Sequence, residues 1–366
     1  MIKILHGADF HLDSPFEALP PEKAMAQRAL QRKLLDDLIL LAEKKAVDVI
    51  LLAGDILDSE TSYFETGTAL VSAFSKTDIP IFIAPGNHDY YHRRSPWAAL
   101  SLPENVHVFD KNEIEAFEIP EKNLVVWGGA FTQNYSENIL ANFTAPAQDN
   151  NTHVMVLHGD VGGFEHYNPL SVDDLKNTGM HYIALGHKHA YSGLLKAGDV
   201  PYAYSGCLQG RGFDEQGDCG LIFAEVGKYQ ARIDFYPVNS RAYHHIEVDA
   251  SGVPNIADAI MQALPKNAKD CICRVVLKGQ AEEIVNERVL LEQLADSCFH
   301  LEIRNQLSLR RDIWAAAEED SLRGLFLRKM KLRYEASQDA AEQRQLALAI
   351  TAGLNAMDKS EQMGGN

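Results

Sequence analysis

Short apolar, β-branched runs alternate with longer segments of helical periodicity through the first two thirds of the chain. Residues 2–5, 47–53, 79–84, 124–127, 154–157 and 182–185 have the length and composition of buried strands. Between the first two, Leu30, Leu34, Leu35, Leu38 and Leu41 recur at helical spacing behind Pro20 and Pro21. That spacing predicts a helix over 24–45, covering one face of a sheet. Aromatic and apolar residues at alternate positions in 221–226 and 231–238 predict antiparallel strands, so a mixed two-sheet α/β core is expected rather than a purely parallel sheet. From Tyr243 the pattern resets. Strands over 244–248, 271–277 and 299–303 alternate with helices over 256–264 and 287–294, which predicts a second, smaller α/β domain. Beyond Leu309 the chain reads as helical. The expected organisation is a first domain over 1–240, a small domain over 241–308 and a helical segment over 309–366.

Composition narrows the class without deciding it. Across 366 residues, 46% hydrophobic and 23% charged positions with 25 Gly and 14 Pro exclude a disordered or low-complexity chain. No apolar run approaches the roughly 18 residues of a membrane helix, and the first residues lack the pattern of a secretory signal, so a soluble, cytoplasmic protein with no membrane contact is expected. Five cysteines without metal-ligand spacing fit reduced thiols. Lys plus Arg number 34 against 51 Asp plus Glu, a formal charge of -17, which repels polyanions at long range. A nucleic-acid enzyme with this balance needs a local or borrowed source of positive potential.

The chemistry lies at the ends of the predicted strands. Successive runs are followed by Asp9-Phe10-His11, Gly54-Asp55, Gly86-Asn87-His88-Asp89, His158-Gly159-Asp160 and Gly186-His187-Lys188-His189. Crevices beyond the carboxyl ends of strands are where α/β sheets bind ligands, so residues distant in sequence can meet there. Any one of these strings is also a plausible turn; five in succession are not, because Asp and His are poor core residues unless paired or ligated. Imidazoles, carboxylates and an amide without thiolate suit manganese, iron, zinc or magnesium. Asp9, His11, Asp55, Asn87, His158, His187 and His189 are too many for one ion and fill two sites if Asp55 bridges. Two ions about 4 Å apart clamp a phosphoryl group, one of them activating a hydroxide for in-line attack. Phosphoester hydrolysis is the predicted reaction.

In that order, Asp9-x-His11, Gly54-Asp55, Gly86-Asn87-His88-Asp89, His158 and Gly186-His187-x-His189 resemble the motifs of the calcineurin-like metallophosphoesterases. The stretches 8–13 and 204–211 narrow the similarity to the SbcD-type DNA repair exonucleases, in particular the YhaO group. The resemblance implies a two-sheet β-sandwich flanked by helices, followed by a small α/β capping domain. It implies one metal on Asp9, His11 and His189 and another on Asn87, His158 and His187, with Asp55 shared. It implies manganese as the activating ion, DNA as substrate, and an SMC-like coiled-coil ATPase as partner, whose docking is expected on the C-terminal helices. A homodimer through the first domain is also implied.

His88 would then protonate the leaving oxygen, a task suited to a positioned imidazole. Asp89 either orients His88 or stabilises the turn. At the position aligned with Asp58, the archaeal and eukaryotic double-strand-break nucleases have histidine, so the aspartate favours the bacterial branch. His92, Arg93, Arg94 and Arg211 are candidate phosphate contacts. Residues 162–167 are a candidate rim whose aromatics could stack a base. His153, His181, His244, His245 and His300 fall in strand patterns and are expected to be structural. The alternatives are a small-molecule or nucleotide phosphodiesterase of the same fold, or a scaffold that binds without turnover.

Overall fold

The computed structural model describes residues 1–146, 149–163, 166–215, 217–238, 241–281, 285–309 and 311–363. Contacts divide the chain into two units, Met1–Ala242 and Tyr243–Asn366.

Among the described residues of the first unit, two six-stranded mixed sheets form the core. One runs Ala231–Pro237, Gly220–Val226, Ile2–Gly7, Val49–Leu52, Ile81–Ile83, Val106–Val108; the last four are parallel and the first two antiparallel. The other runs Leu195–Ala197, Val200–Tyr204, Tyr182–Gly186, Thr152–His158, Leu124–Gly128, Glu115–Ile119. Side-chain alternation explains the layering. Ile4, Val49, Leu51 and Phe82 from the first sheet pack with Val126, Val154, Val156 and Tyr182 from the second. Their neighbours Leu5, Ile50, Leu52 and Ile83 point the other way, onto Leu34, Leu35 and Leu38 of the Pro21–Lys45 helix and Leu70 and Phe74 of the Phe64–Phe74 helix. Strands apolar on both faces are what such burial requires. The outer face of the second sheet is closed by Leu170, Leu175 and Met180 over Met155, Leu157, Ile183 and Leu185.

Each sheet therefore directs the carboxyl ends of its parallel strands to one rim. The loops there are laced together by main-chain bonds: Asp9 N–H donates to Gly54 O at 3.0 Å, His11 N–H to Asp55 O and Leu12 N–H to Ile56 O at 2.9 Å. Buried Gln31, from the long helix, donates to Phe10 O and His11 O and fixes the first loop from beneath.

In the second unit, the parallel strands Tyr243–Asp249, Ile272–Lys278 and His300–Asn305 lie side by side in chain order. The Ile256–Ala263 and Glu287–Gln293 helices connect them and place Ile260 and Leu290 on one core with Val248, Val275, Leu277 and Ile303, so both crossovers cover the same face of the sheet. Helices Leu322–Ala336 and Ala340–Met363 pack through Leu327, Ile350 and Leu354. No described helix is long and apolar enough to cross a membrane.

Candidate metal centre

Four site residues adopt a backbone that L side chains seldom choose: φ is 53° at Asp9, 45° at His11, 50° at Asp55 and 104° at His187. Left-handed backbone at a non-glycine residue costs about 1–2 kcal/mol and persists where the surroundings over-determine it. Here it turns each side chain back over the sheet rim. Glycine is needed beside them: at Gly54, with φ +85°, a Cβ would lie 2.6 Å from His158 Nδ1, and at Gly86 it would collide with the Asp55 carboxylate.

The side chains converge in two overlapping groups. Asp9, His11 and His189 form one, and Asp9, Asp55 and His158 the other, with ligand atoms within 4.8 Å of one another in each. Asp55 Oδ2 reaches both, 3.7 Å from His11 Nε2 and 3.4 Å from His158 Nε2. Asn87 Oδ1 lies 3.1 Å from the same His158 nitrogen. The His187 ring is 5.3 Å from that of His158, edge to face, and the His187 backbone N–H donates to the Asp9 carboxylate. A third group, His11, Asp58 and His88, is already served by a cation, because Arg211 Nη1 donates to Asp58 Oδ1 at 3.1 Å.

Hydrogen-bond partners fix where the imidazole lone pairs point. His158 Nδ1–H donates to Ala53 O at 2.9 Å, so the neutral ring turns the bare Nε2 lone pair toward Asp55 Oδ2 and Asn87 Oδ1. His189 Nδ1–H donates to Glu215 Oε1 at 2.7 Å, which turns its Nε2 to face His11 Nε2 at 3.3 Å. Acceptors aimed at acceptors are unfavourable unless a proton or a cation lies between them. Buried charge tells the same story. Burial pushes Asp9 up to about 7. For His158 burial works downward, yet the Asp55 carboxylate overrides it and raises the imidazole to about 9, while the charge of His158 in turn holds buried Asp55 well below the usual carboxylate range. The N/O donor set fits two hard or borderline cations.

The other predicted residues divide. His88 sits exposed at the rim: its N–H donates to Asp55 Oδ1 and its Nδ1–H to Asp58 O, both at 2.9 Å. Asp89 is fully buried and accepts from Asp55, Ile56, Leu57 and Gly86 N–H groups at 2.7–3.2 Å. Those bonds match the turn-stabilising role and leave its carboxylate turned to the loops, not to the His88 ring. Arg93 and Arg94 are exposed on the adjacent loop, and His92 Nδ1 accepts from Arg94 N–H. Arg211 is engaged instead by Asp58 and Glu215. In the candidate rim, Phe164 and Glu165 lie outside the described residues, while the Tyr167 ring is 5.5 Å from that of His187. His153 and His181 are structural: His153 accepts from Trp127 Nε1–H, and His181 accepts from the His153 N–H. Glu215 and Gln31 escaped the sequence reading, since neither sits in a strand-end motif.

Comparison with known proteins agrees with this geometry. Over 306 residues the chain is 29% identical to YhaO of Bacillus subtilis (strain 168), an uncharacterized metallophosphoesterase, covering 77% of this chain and 73% of that one. It is 28% identical over 202 residues to the DNA double-strand break repair protein Mre11 of Saccharolobus solfataricus, covering 52% and 50%. To the SbcD component of the nuclease SbcCD of Bacillus subtilis (strain 168) it is 27% identical over 138 residues, covering 35% and 33%. Residues 2–191, which carry all seven candidate ligands, match the family model for calcineurin-like phosphoesterases, and the chain belongs to that family.

Proposed function

We propose that this chain is a two-metal phosphodiesterase that hydrolyses DNA as an exonuclease in repair. The observation that carries the reading is the pair of ligand groups that share Asp9 and that Asp55 Oδ2 approaches from between, with the Nε2 atoms of His158 and His189 turned into them. Asp9, His11 and His189 would hold one ion and Asn87, His158 and His187 the other, with manganese the expected metal. Two such ions supply activation of water and neutralisation of phosphate charge. The chain's own residues supply the rest. His88 donates Nδ1–H to the Asp58 carbonyl, so a second proton on its ring resides at Nε2, free to pass to the leaving oxygen. Asp89 keeps the His88 and Asp55 loops in register. Arg93 and Arg94 are positioned on an exposed loop to meet the phosphate backbone.

The resemblance to SbcD-type enzymes supports an SMC-like ATPase as partner. Such a partner would bring the positive surface that a chain of charge -17 lacks. In this reading residues 241–308 restrict which DNA reaches the metals, and residues 309–366 dock the ATPase. Leu322, next to Arg323, and Leu332, between Lys331 and Arg333, are each 72% exposed and fit that docking. The net charge favours a small nucleotide as the competing substrate.

The deciding experiment is manganese-dependent cleavage of end-labelled linear DNA, compared with bis(p-nitrophenyl) phosphate, by the wild type and His88→Ala. DNA cleavage that falls about 10²–10⁴-fold in the variant, with metal content unchanged, is expected. Cleavage of the small diester alone would move the assignment to a small-molecule phosphodiesterase. A wild type inert on both, with two metals bound, would point to a scaffold.

A further inference from the structure

The loop between the Val200–Tyr204 and Gly220–Val226 strands carries Arg211 and Glu215, which pair with each other and lie outside the ligand set. Glu215 accepts from the Arg211 N–H at 2.9 Å and from its guanidinium Nε and Nη2 at 3.1 and 2.7 Å. The far end of the same guanidinium donates to Asp58 Oδ1 at 3.1 Å. Carboxylate, guanidinium and carboxylate thus form one partly buried chain, with side-chain exposures of 11%, 21% and 21% for Glu215, Arg211 and Asp58. Each end touches one imidazole on the face away from the metal positions. Glu215 Oε1 takes the His189 Nδ1–H at 2.7 Å, and Asp58 Oδ1 lies 3.1 Å from His11 Nδ1. Between the two rings, the Nε2 atoms face each other at 3.3 Å.

We propose that Asp58, Arg211 and Glu215 act together as a strut of positioning residues. It fixes the tautomer and orientation of His189 and sets a carboxylate behind the His11 ring, and so sets the affinity of the metal site those two share with Asp9. This inference rests on the two-metal reading above. It is selective because the other site is anchored elsewhere: His158 is fixed by Ala53 O through Nδ1–H, and its carbonyl accepts from Asn168 Nδ2. Arginine is the residue for the centre of the strut, since its planar fork spans two carboxylates at once where an ammonium offers a point charge. A carboxylate behind a ligating imidazole fixes the tautomer and strengthens the ring as a donor. The guanidinium also offsets the charge of Asp58, which keeps that carboxylate from recruiting an ion of its own with His11 and His88.

The test uses the full-length chain, stripped of metal and titrated with Mn²⁺ by calorimetry and low-temperature EPR. Wild type, Glu215→Gln and Arg211→Lys are compared, with thermal unfolding of each metal-free protein. The wild type should take two ions and give an exchange-coupled signal. In Glu215→Gln one site should keep its affinity within about twofold while the other weakens about 10–100-fold, leaving an uncoupled six-line spectrum at the same manganese concentration. Arg211→Lys should move the same way, and metal-free midpoints should match the wild type. If both variants bind two ions as tightly as the wild type, or lose both sites in parallel, the strut is overturned. Should Glu215→Gln fail to fold, Arg211→Lys decides alone. A wild type that binds fewer than two ions overturns the two-metal reading and the strut with it, before any variant is read.

Discussion

His6 shows how much one residue can carry outside the metal centre. It lies fully buried in the Ile2–Gly7 strand, donates Nε2–H to Leu185 O at 3.1 Å and accepts from Tyr182 O–H at Nδ1 at 3.0 Å. It is thereby a polar tie between the two sheets, directly beneath the site. Burial lowers its pKa to about 3, with the Leu185 bond opposing. The sign follows from proton counting: between pH 6.5 and about 3 the unfolded chain binds a proton that the folded chain refuses. The contribution of this neutral histidine is complete above pH 6.5 and is lost as pH falls toward 3, at about 1.4 kcal/mol per unit at most. Urea midpoints of the wild type and His6→Gln over pH 4–7 should converge on acidification. Parallel curves would mean that His6 is protonated in the fold.

At the scale of elements, the long helix ends where its chemistry says it should, yet not with the best residue. Pro21 opens Pro21–Lys45, Lys44 and Lys45 close it, and Ala46 takes the left-handed cap position with φ 48°. Glycine is at ease there and alanine is not. Ala46→Gly should therefore stabilise the protein by about 1 kcal/mol, seen as a higher urea midpoint at unchanged slope. At the metal rim the logic inverts. Gly54→Ala would keep φ +85° and drive its methyl against His158. It should weaken manganese binding together with stability, measurable by calorimetry and thermal unfolding on the same sample.

For the whole molecule, contacts close within Met1–Ala242 around three clusters, one between the two sheets and one on the outer face of each, and Tyr243–Asn366 has cores of its own. Each unit thus buries enough apolar surface for independent folding. Residues 1–242 expressed alone should unfold cooperatively in urea and bind two manganese ions. A non-cooperative transition would show that the second unit completes the core of the first. If residues 309–366 dock an ATPase, the shortened chain should keep hydrolysis of the small diester and lose partner-dependent DNA cleavage.

The alternation of apolar runs was enough to place the strands at 2–5, 182–185 and 271–277, the antiparallel pair at 221–238 and the helix at 24–45, because strands buried on both faces leave a continuous signal. The short strands Val106–Val108 and Leu195–Ala197 and the Phe64–Phe74 helix went unread: three-residue strands carry too few positions for a period, and the helix is defined by its packing on Leu5 and Ile50. That Asp9, His11, Asp55, His158 and His189 meet was legible because histidine and aspartate at strand ends have no good structural excuse. What they need behind them was not. Gln31, Asp58 as a partner of His11 and Arg211, Glu215, and the inter-sheet tie from His6 to Tyr182 depend on residues from 20 to 176 positions apart meeting through sheet stacking and loop lacing. Local sequence determines which residues can ligate. Only the tertiary structure decided their tautomers, their left-handed backbone and which carboxylates would serve as supports, because each of those depends on atoms supplied by another strand.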